Sequence, residues 1–221
     1  MEAKPETAQI PLPLFVLSLL YGGMTCIAGV LGSKQVALGP LAVEGGILPF
    51  LLLVATSSAV ARLYSREVAD RLVRFGFVPL VTAILLTWLV IRLPTDPGMY
   101  EPAKAAFPII LGQSGRLMIA GIIAYGVSMT LNVLIFSRLI QQGTRFTLVA
   151  GAVAALVSQV VDTLIFITIA FYGVRPIGAL ILGQALAKVV LSIVLVPLLI
   201  ALLVGMARRL ERPVGGRPRS G

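Results

Sequence analysis

Six long apolar runs constrain this chain more than any other feature of its sequence. They occupy residues 12–32, 41–61, 75–91, 112–137, 146–171 and 177–206. A helix of about 20 apolar residues crosses the hydrocarbon core of a bilayer, and helices satisfy their own backbone hydrogen bonds there. Only 12% of the residues are charged, far fewer than in soluble domains. We therefore predict an all-α integral membrane protein with six spans. Residues 1–221 should form one polytopic membrane domain, with a disordered basic tail at 207–221.

The second run, residues 41–61, is the weakest because polar and helix-breaking residues interrupt it. Glu44 and the pair Gly45-Gly46 stand near its start, and Pro49 follows. Broken helices are tolerated in a membrane where they line a cavity, so we expect this segment to be bent or broken. Residues 93–108 carry four prolines and two acids, and they are predicted to form an ordered external loop.

The distribution of lysine and arginine predicts the orientation of the chain. Six spans place both termini on one side, which then holds twelve basic residues against five on the other. Cytoplasmic loops carry the excess of basic residues, so we predict that both termini are cytoplasmic. The net charge of +9 arises from clusters at the ends of apolar runs. The lipid bilayer is therefore the expected partner, and nucleic acid is not.

A polar motif is repeated thirty residues apart in the fourth and fifth runs. Residues 120–136 and 150–166 share eight identities in seventeen positions. The first copy places Ser128 and Asn132 four residues apart, and the second does the same with Ser158 and Asp162. Such pairs share one helix face, and consecutive spans run in opposite directions. The sequence therefore predicts a small inverted repeat formed by spans four and five, with a polar cavity between them.

Asp162 is the strongest candidate site residue because a charge deep in a span costs about 2.5–3.5 kcal/mol on insertion scales. It is either a substrate or proton site, with Ser158 and Gln159 on nearly the same face, or a structural carboxylate. In the second case it is protonated or is paired with Arg116 or Lys188. Its counterpart Asn132, one turn from Ser128, is either a ligand or an interhelical contact.

Three other charged residues interrupt apolar runs. Arg116, one turn inside its span, either snorkels to the interface or supplies a counter-charge. Lys188 lies deep in the sixth run, where a polar cavity is the better explanation. Glu44 is either an exposed loop acid or a residue of the cavity mouth, and Lys34 is placed to pair with it.

The residue inventory argues against an enzyme. The chain has no histidine and one cysteine, Cys26, so the usual metal sites, an internal disulfide and the Ser-His and Cys-His pairs of many hydrolases are missing. We expect no cofactor and no metal site.

Three segments and one lysine resemble a known family. They are residues 116–125, 132–139 and 158–166, together with Lys188. They are similar to the queuosine precursor transporter family of bacteria, also called the vitamin uptake transporter family. The resemblance implies a six-helix importer of the 7-deazaguanines preQ0 or preQ1 for tRNA modification. The chain departs from the family pattern at Ser57 and Asn132, where an acid is common, and Glu44 is a candidate replacement carboxylate.

The chemistry of a 7-deazaguanine agrees with these residues. Its adjacent N–H and amine suit one carboxylate, Asp162, as a bidentate pair. Its carbonyl needs a donor, for which Gln159, Asn132 and Arg116 are candidates. Three aromatic residues are candidate walls for the planar ring: Tyr125, Phe136 and Phe166.

Two other functions remain open from the sequence. The same fold is compatible with another small vitamin-like heterocycle. The polar seams are also compatible with a membrane scaffold or assembly protein that transports nothing. The sequence does not predict the oligomeric state.

Overall fold

A computed structural model of the protein describes residues 10–38, 41–112, 115–141, 147–174 and 176–211. Within these ranges the chain forms eight α-helices and one β-hairpin. The helices are α1 (Leu12–Gly32), α2 (Ile47–Leu63), α3 (Arg66–Phe75), α4 (Phe77–Arg92), α5 (Glu101–Leu111), α6 (Gly115–Gln141), α7 (Thr147–Phe171) and α8 (Gly178–Leu210). The hairpin pairs β1 (Gln35–Leu38) antiparallel with β2 (Leu41–Glu44). The helical class predicted from the apolar runs is confirmed, and the hairpin is an addition to it.

Five helical segments in the described part of the chain are long and apolar enough to cross a bilayer. They are Leu12–Gly32, Arg66–Arg92, Arg116–Gln141, Thr147–Phe171 and Leu180–Leu210. The second of these joins α3 to α4. α2 is also apolar but has 17 residues, the lower limit for a span. Several membrane helices are thus confirmed, whereas the count of six and the cytoplasmic termini remain predictions.

The predicted second span, residues 41–61, is wrong at its start. The expected break is present, but it separates a strand from a helix: β2 ends at Glu44, and α2 begins at Ile47. Gly45 and Gly46 form the turn between them. A Cβ at Gly45 would lie 2.7 Å from the Leu31 carbonyl oxygen, so a glycine permits this close approach to the end of α1.

Two segments predicted to lack regular structure are partly helical. Residues 93–108 were expected to be a loop, but α5 begins at Glu101, with Pro102 in its first turn, where proline is tolerated. The basic tail predicted at 207–221 is wrong for its first four residues, because α8 continues to Leu210. Residues 212–221 lie outside the described ranges. The predicted span 12–32 coincides with α1, and the spans 75–91, 112–137, 146–171 and 177–206 differ from the observed helices by a few residues.

Three contacts show that α6 and α7 are antiparallel. Arg116 near the start of α6 donates to the Ile169 carbonyl near the end of α7. Ser128 and Asp162 are hydrogen bonded at mid-length. A Cβ built on Gly151 near the start of α7 would lie 3.8 Å from the ring of Phe136. This direction is the one that an inverted repeat requires, although the repeat itself remains a prediction.

The helices differ sharply in burial. Nine consecutive residues of α2, from Leu53 to Ala61, are buried, because α2 packs against α1, α6 and α8. Three of these nine buried residues are polar, namely Thr56, Ser57 and Ser58. α4 has no buried residue, and its exposed surface is apolar, as expected of a helix that faces lipid. The core therefore centres on α2 and the α6–α7–α8 group.

Candidate functional site

A cavity of about 480 Å³ opens in one half of the bundle. Its walls come from the second halves of α1 and α7, the first halves of α2, α6 and α8, and α4. The cavity therefore lies on the side away from the start of α1 and the end of α8. The end of α5 lines it as well. Small-molecule sites commonly measure about 300–1,000 Å³, so its size suits a small heterocycle.

Asp162 and Lys188 form an ion pair in the cavity wall. Lys188 Nζ lies 3.1 Å from Asp162 Oδ2, and the Ser128 hydroxyl donates to Asp162 Oδ1 over 3.2 Å. The two charged side chains are 8% and 9% exposed. Charges so far withdrawn from water need a partner, and each supplies it for the other. The structure thus brings together three predicted site residues from α6, α7 and α8, and Lys188 is the counter-charge of Asp162.

Glu44, the last residue of β2, lines the same cavity. The Gln184 amide nitrogen donates to Glu44 Oε1 over 3.2 Å, so α8 holds this carboxylate. The predicted ion pair with Lys34 does not form among the described residues. Glu44 was predicted to be either an exposed loop acid or a residue of the cavity mouth, and the structure supports the second alternative.

Asn132 faces α2 and does not line the cavity. Its Nδ2 donates to the hydroxyls of Ser57 and Ser58, each over 3.2 Å. The side chain is fully buried, so the structure favours the interhelical role over the ligand role. Ser57 and Asn132 are also the two positions at which the chain departs from the resembled family, and they contact each other.

Ser158 and Gln159 are fully buried outside the cavity. The Ser158 hydroxyl donates to the Ala155 carbonyl within α7. Neither amide atom of Gln159 has a hydrogen-bond partner in the part of the chain that the structure describes. α6 and α7 meet directly through Ser128 and Asp162. The polar cavity predicted between these two helices is therefore wrong in its position, since the cavity lies beside them.

Arg116 is placed away from Asp162. Its Nε donates to the Ile169 carbonyl and its Nη2 donates to the Tyr172 carbonyl over 2.7 Å. The last carbonyls of a helix lack intrahelical donors, and a cation there is also attracted to the negative end of the helix dipole. Arg116 thus caps the end of α7. The structure therefore does not support Arg116 as the partner of Asp162. It also does not support Arg116 as the donor to the carbonyl of the substrate ring.

Aromatic residues line the cavity, as a planar ligand would require. Tyr125 and Phe166, two of the three predicted wall residues, are among them. Phe136 is not, because it is fully buried in the core. Two further aromatic residues, Phe50 and Phe171, also line the cavity.

Fully buried residues close the cavity on the side where α1 begins and α8 ends. Beyond the level of Asp162, the residues that continue along the helices are fully buried. They include Val54 on α2, Met129 and Val133 on α6, and Ala155 on α7. The cavity therefore reaches about the middle of the bundle, and no described part of it continues to the other side.

Sequence reasoning missed Gln184 and the contributions of α1 and α4. Gln184 stands four residues before Lys188, the same spacing that marked the repeated motif, and this signal would have placed it on the Lys188 face. α1 and α4 contribute mainly small and apolar residues. Such residues carry no sequence signal that separates a cavity wall from a lipid-facing surface.

Residues 44–202 match a family model described as "Putative vitamin uptake transporter". The match covers more than half of the chain and includes Glu44, the repeated motif and Lys188. The chain therefore belongs to the vitamin uptake transporter family, and it is a multi-pass membrane protein of transporter type. No curated protein and no solved structure gives a match.

Proposed function

We propose that this protein imports the queuosine precursors preQ0 and preQ1, both 7-deazaguanines, across the bacterial inner membrane for tRNA modification. The observation that carries the proposal is the Asp162–Lys188 ion pair in the wall of a cavity of suitable size. Membership of an uptake family supports transport in general. The segments quoted above support the choice of substrate, and the orientation follows from the basic residues, with both termini cytoplasmic.

The ion pair is complementary to the guanine-like edge of such a ring. That edge presents a carbonyl, an N–H and an amine in a row. Each oxygen of the Asp162 carboxylate has two lone pairs, and Ser128 and Lys188 each occupy one. One acceptor position therefore remains on each oxygen for a bidentate contact with the N–H and the amine.

Lys188 completes this recognition by donating to the ring carbonyl. An ammonium has three N–H donors, and Asp162 uses one of them. Lys188 thus takes the role for which the sequence had offered Gln159, Asn132 and Arg116, none of which lines the cavity. The ring itself packs between the aromatic walls, which exclude water and strengthen these polar contacts.

The test uses a host that can neither make the precursors nor import them. Expression of this chain, with preQ0 or preQ1 in the medium, should restore queuosine in tRNA. The same host carrying an empty vector is the control. Unmodified tRNA despite confirmed membrane expression would refute the assignment. Uptake of a different heterocycle by the same cells would then favour the broader vitamin-uptake function.

A further inference from the structure

Glu44 is held at the cavity wall by the turn that follows it. A Cβ at Gly46 would lie 2.8 Å from the Ala28 carbonyl oxygen, as close as the contact described above for Gly45. The turn therefore packs directly on the backbone of α1. The other side of Glu44 is held by Gln184 on α8. This carboxylate is a positioned part of the cavity rather than a solvated loop acid.

The two carboxylates of the cavity differ in charge compensation. Asp162 is neutralised by Lys188, whereas Glu44 is bonded to a neutral amide. No lysine or arginine among the described residues forms an ion pair with Glu44. Among the described residues, the charged side chains that line the cavity are Glu44, Asp162 and Lys188, so they sum to one negative charge, which belongs to Glu44. Low-dielectric walls strengthen the attraction between such a charge and a bound cation.

The two polar contacts are stacked along α8. Gln184 and Lys188 are four residues apart and share one face, so they are separated by about one helical turn, ~5.4 Å. Gln184 is 3% exposed, and its Oε1 has no partner within the described ranges. Glu44 is therefore a second acceptor in the cavity wall, held by Gln184 about one turn along α8 from the Asp162–Lys188 pair.

We propose that Glu44, supported by Gln184, selects a substrate that carries a cationic amine on its five-membered ring, outside the guanine-like edge. This inference rests on the proposed function, which places that edge on Asp162 and Lys188. An ammonium offers three donors, and the Glu44 carboxylate is an acceptor that lines the cavity. Of the two proposed precursors, the aminomethyl compound has this group, and the nitrile compound has neither a charge nor a donor there. The cavity should therefore accept both compounds and prefer the amine.

Uptake of the two precursors, measured separately in the same host, tests this selection. Wild type should take up the amine in preference to the nitrile. The Glu44→Gln variant should reduce amine uptake about tenfold or more, the effect of losing one hydrogen bond to a charged group, and should change nitrile uptake little. Glu101→Gln is the matched control, because Glu101 pairs with Lys104 on the surface of α5 and is not a lining residue.

A second variant guards against misfolding of the first. Gln184→Lys would place a cation beside Glu44 and cancel its charge, so the preference should shift from the amine to the nitrile. If both variants changed the uptake of the two compounds equally, or changed neither at normal membrane yield, the proposed selection by Glu44 would be refuted. The proposed function would not be affected by that result. If wild type took up neither compound, the proposed function itself would fall and this inference with it.

Discussion

Replacing Asp162 by asparagine removes the charge that balances Lys188. The Lys188 side chain is 9% exposed, so its ammonium would remain largely out of water with only an amide oxygen nearby. Breaking a buried ion pair from one side costs about 3–5 kcal/mol. Because the pair borders a cavity that water can enter, we expect the low end of this range, about 3 kcal/mol.

This cost is measurable as a shift in the unfolding temperature. For a chain of this length, 1 kcal/mol corresponds to roughly 2–4 °C, so Asp162→Asn should lower the Tm by roughly 6–12 °C. The measurement is thermal unfolding of the purified protein in detergent. A Tm equal to that of wild type would show that Lys188 does not depend on Asp162, and would refute the reasoning.

The double variant Asp162→Asn with Lys188→Met separates stability from transport. It removes both charges, and replacing a buried pair by uncharged side chains is often neutral for stability. The Tm should therefore recover most of the loss, while precursor uptake should be abolished in the single and the double variant alike, because the carboxylate is missing from both. Normal uptake by the double variant would assign the pair a structural role only.

Two further predictions concern topology and packing. Reporter fusions at Asp96 and at the C-terminus should report opposite sides of the membrane, and a report of the same side from both would show that the span count is wrong. Gly76→Ala should lower stability by about 1–3 kcal/mol, because its Cβ would lie 2.3 Å from the Tyr125 hydroxyl and 2.6 Å from the Tyr21 ring. Thermal unfolding measures this, with Gly183→Ala as the control at a site that has no atom within 4 Å; an equal response of the two variants would contradict it.

The membrane helices were predictable because their signal is local. A bilayer fixes the length of an apolar helix, so α1 matches its predicted range of 12–32, and α7 begins one residue after its predicted start. The hairpin was not predictable in this way. Its two strands have four residues each, and a Glu44 that faces a cavity depends on packing against α1 and α8.

The sequence predicted how deep in their spans the site residues lie, but not which neighbouring helix each side chain faces. The sequence showed that Asp162 and Lys188 lie deep in their spans, yet it could not say which way each helix is rotated. Lipid and protein interior are equally apolar, so a membrane helix has no polar face that marks its outside. This is why Arg116 and Lys188 were both candidate partners for Asp162, and why Asn132 was expected near the cavity.

The rotation of the helices also changes what a substitution means. From the sequence, an amide at position 162 looks harmless to folding, because it has the same shape as the carboxylate and is cheaper to bury. With Lys188 at 3.1 Å, the same change creates an unbalanced charge. The ion pair therefore makes Asp162 relevant to stability as well as to the proposed recognition.

The closed half of the bundle sets a kinetic limit. A solute that bound at Asp162, as proposed, would have crossed about half of the protein, and described residues beyond it, such as Met129 and Ala155, are fully buried. Further movement requires the barrier to shift from one side of the solute to the other. Collective helix motions take about microseconds to milliseconds. The turnover number is then fixed by the frequency of this rearrangement, and the flux saturates with solute concentration instead of rising as it would through an open pore.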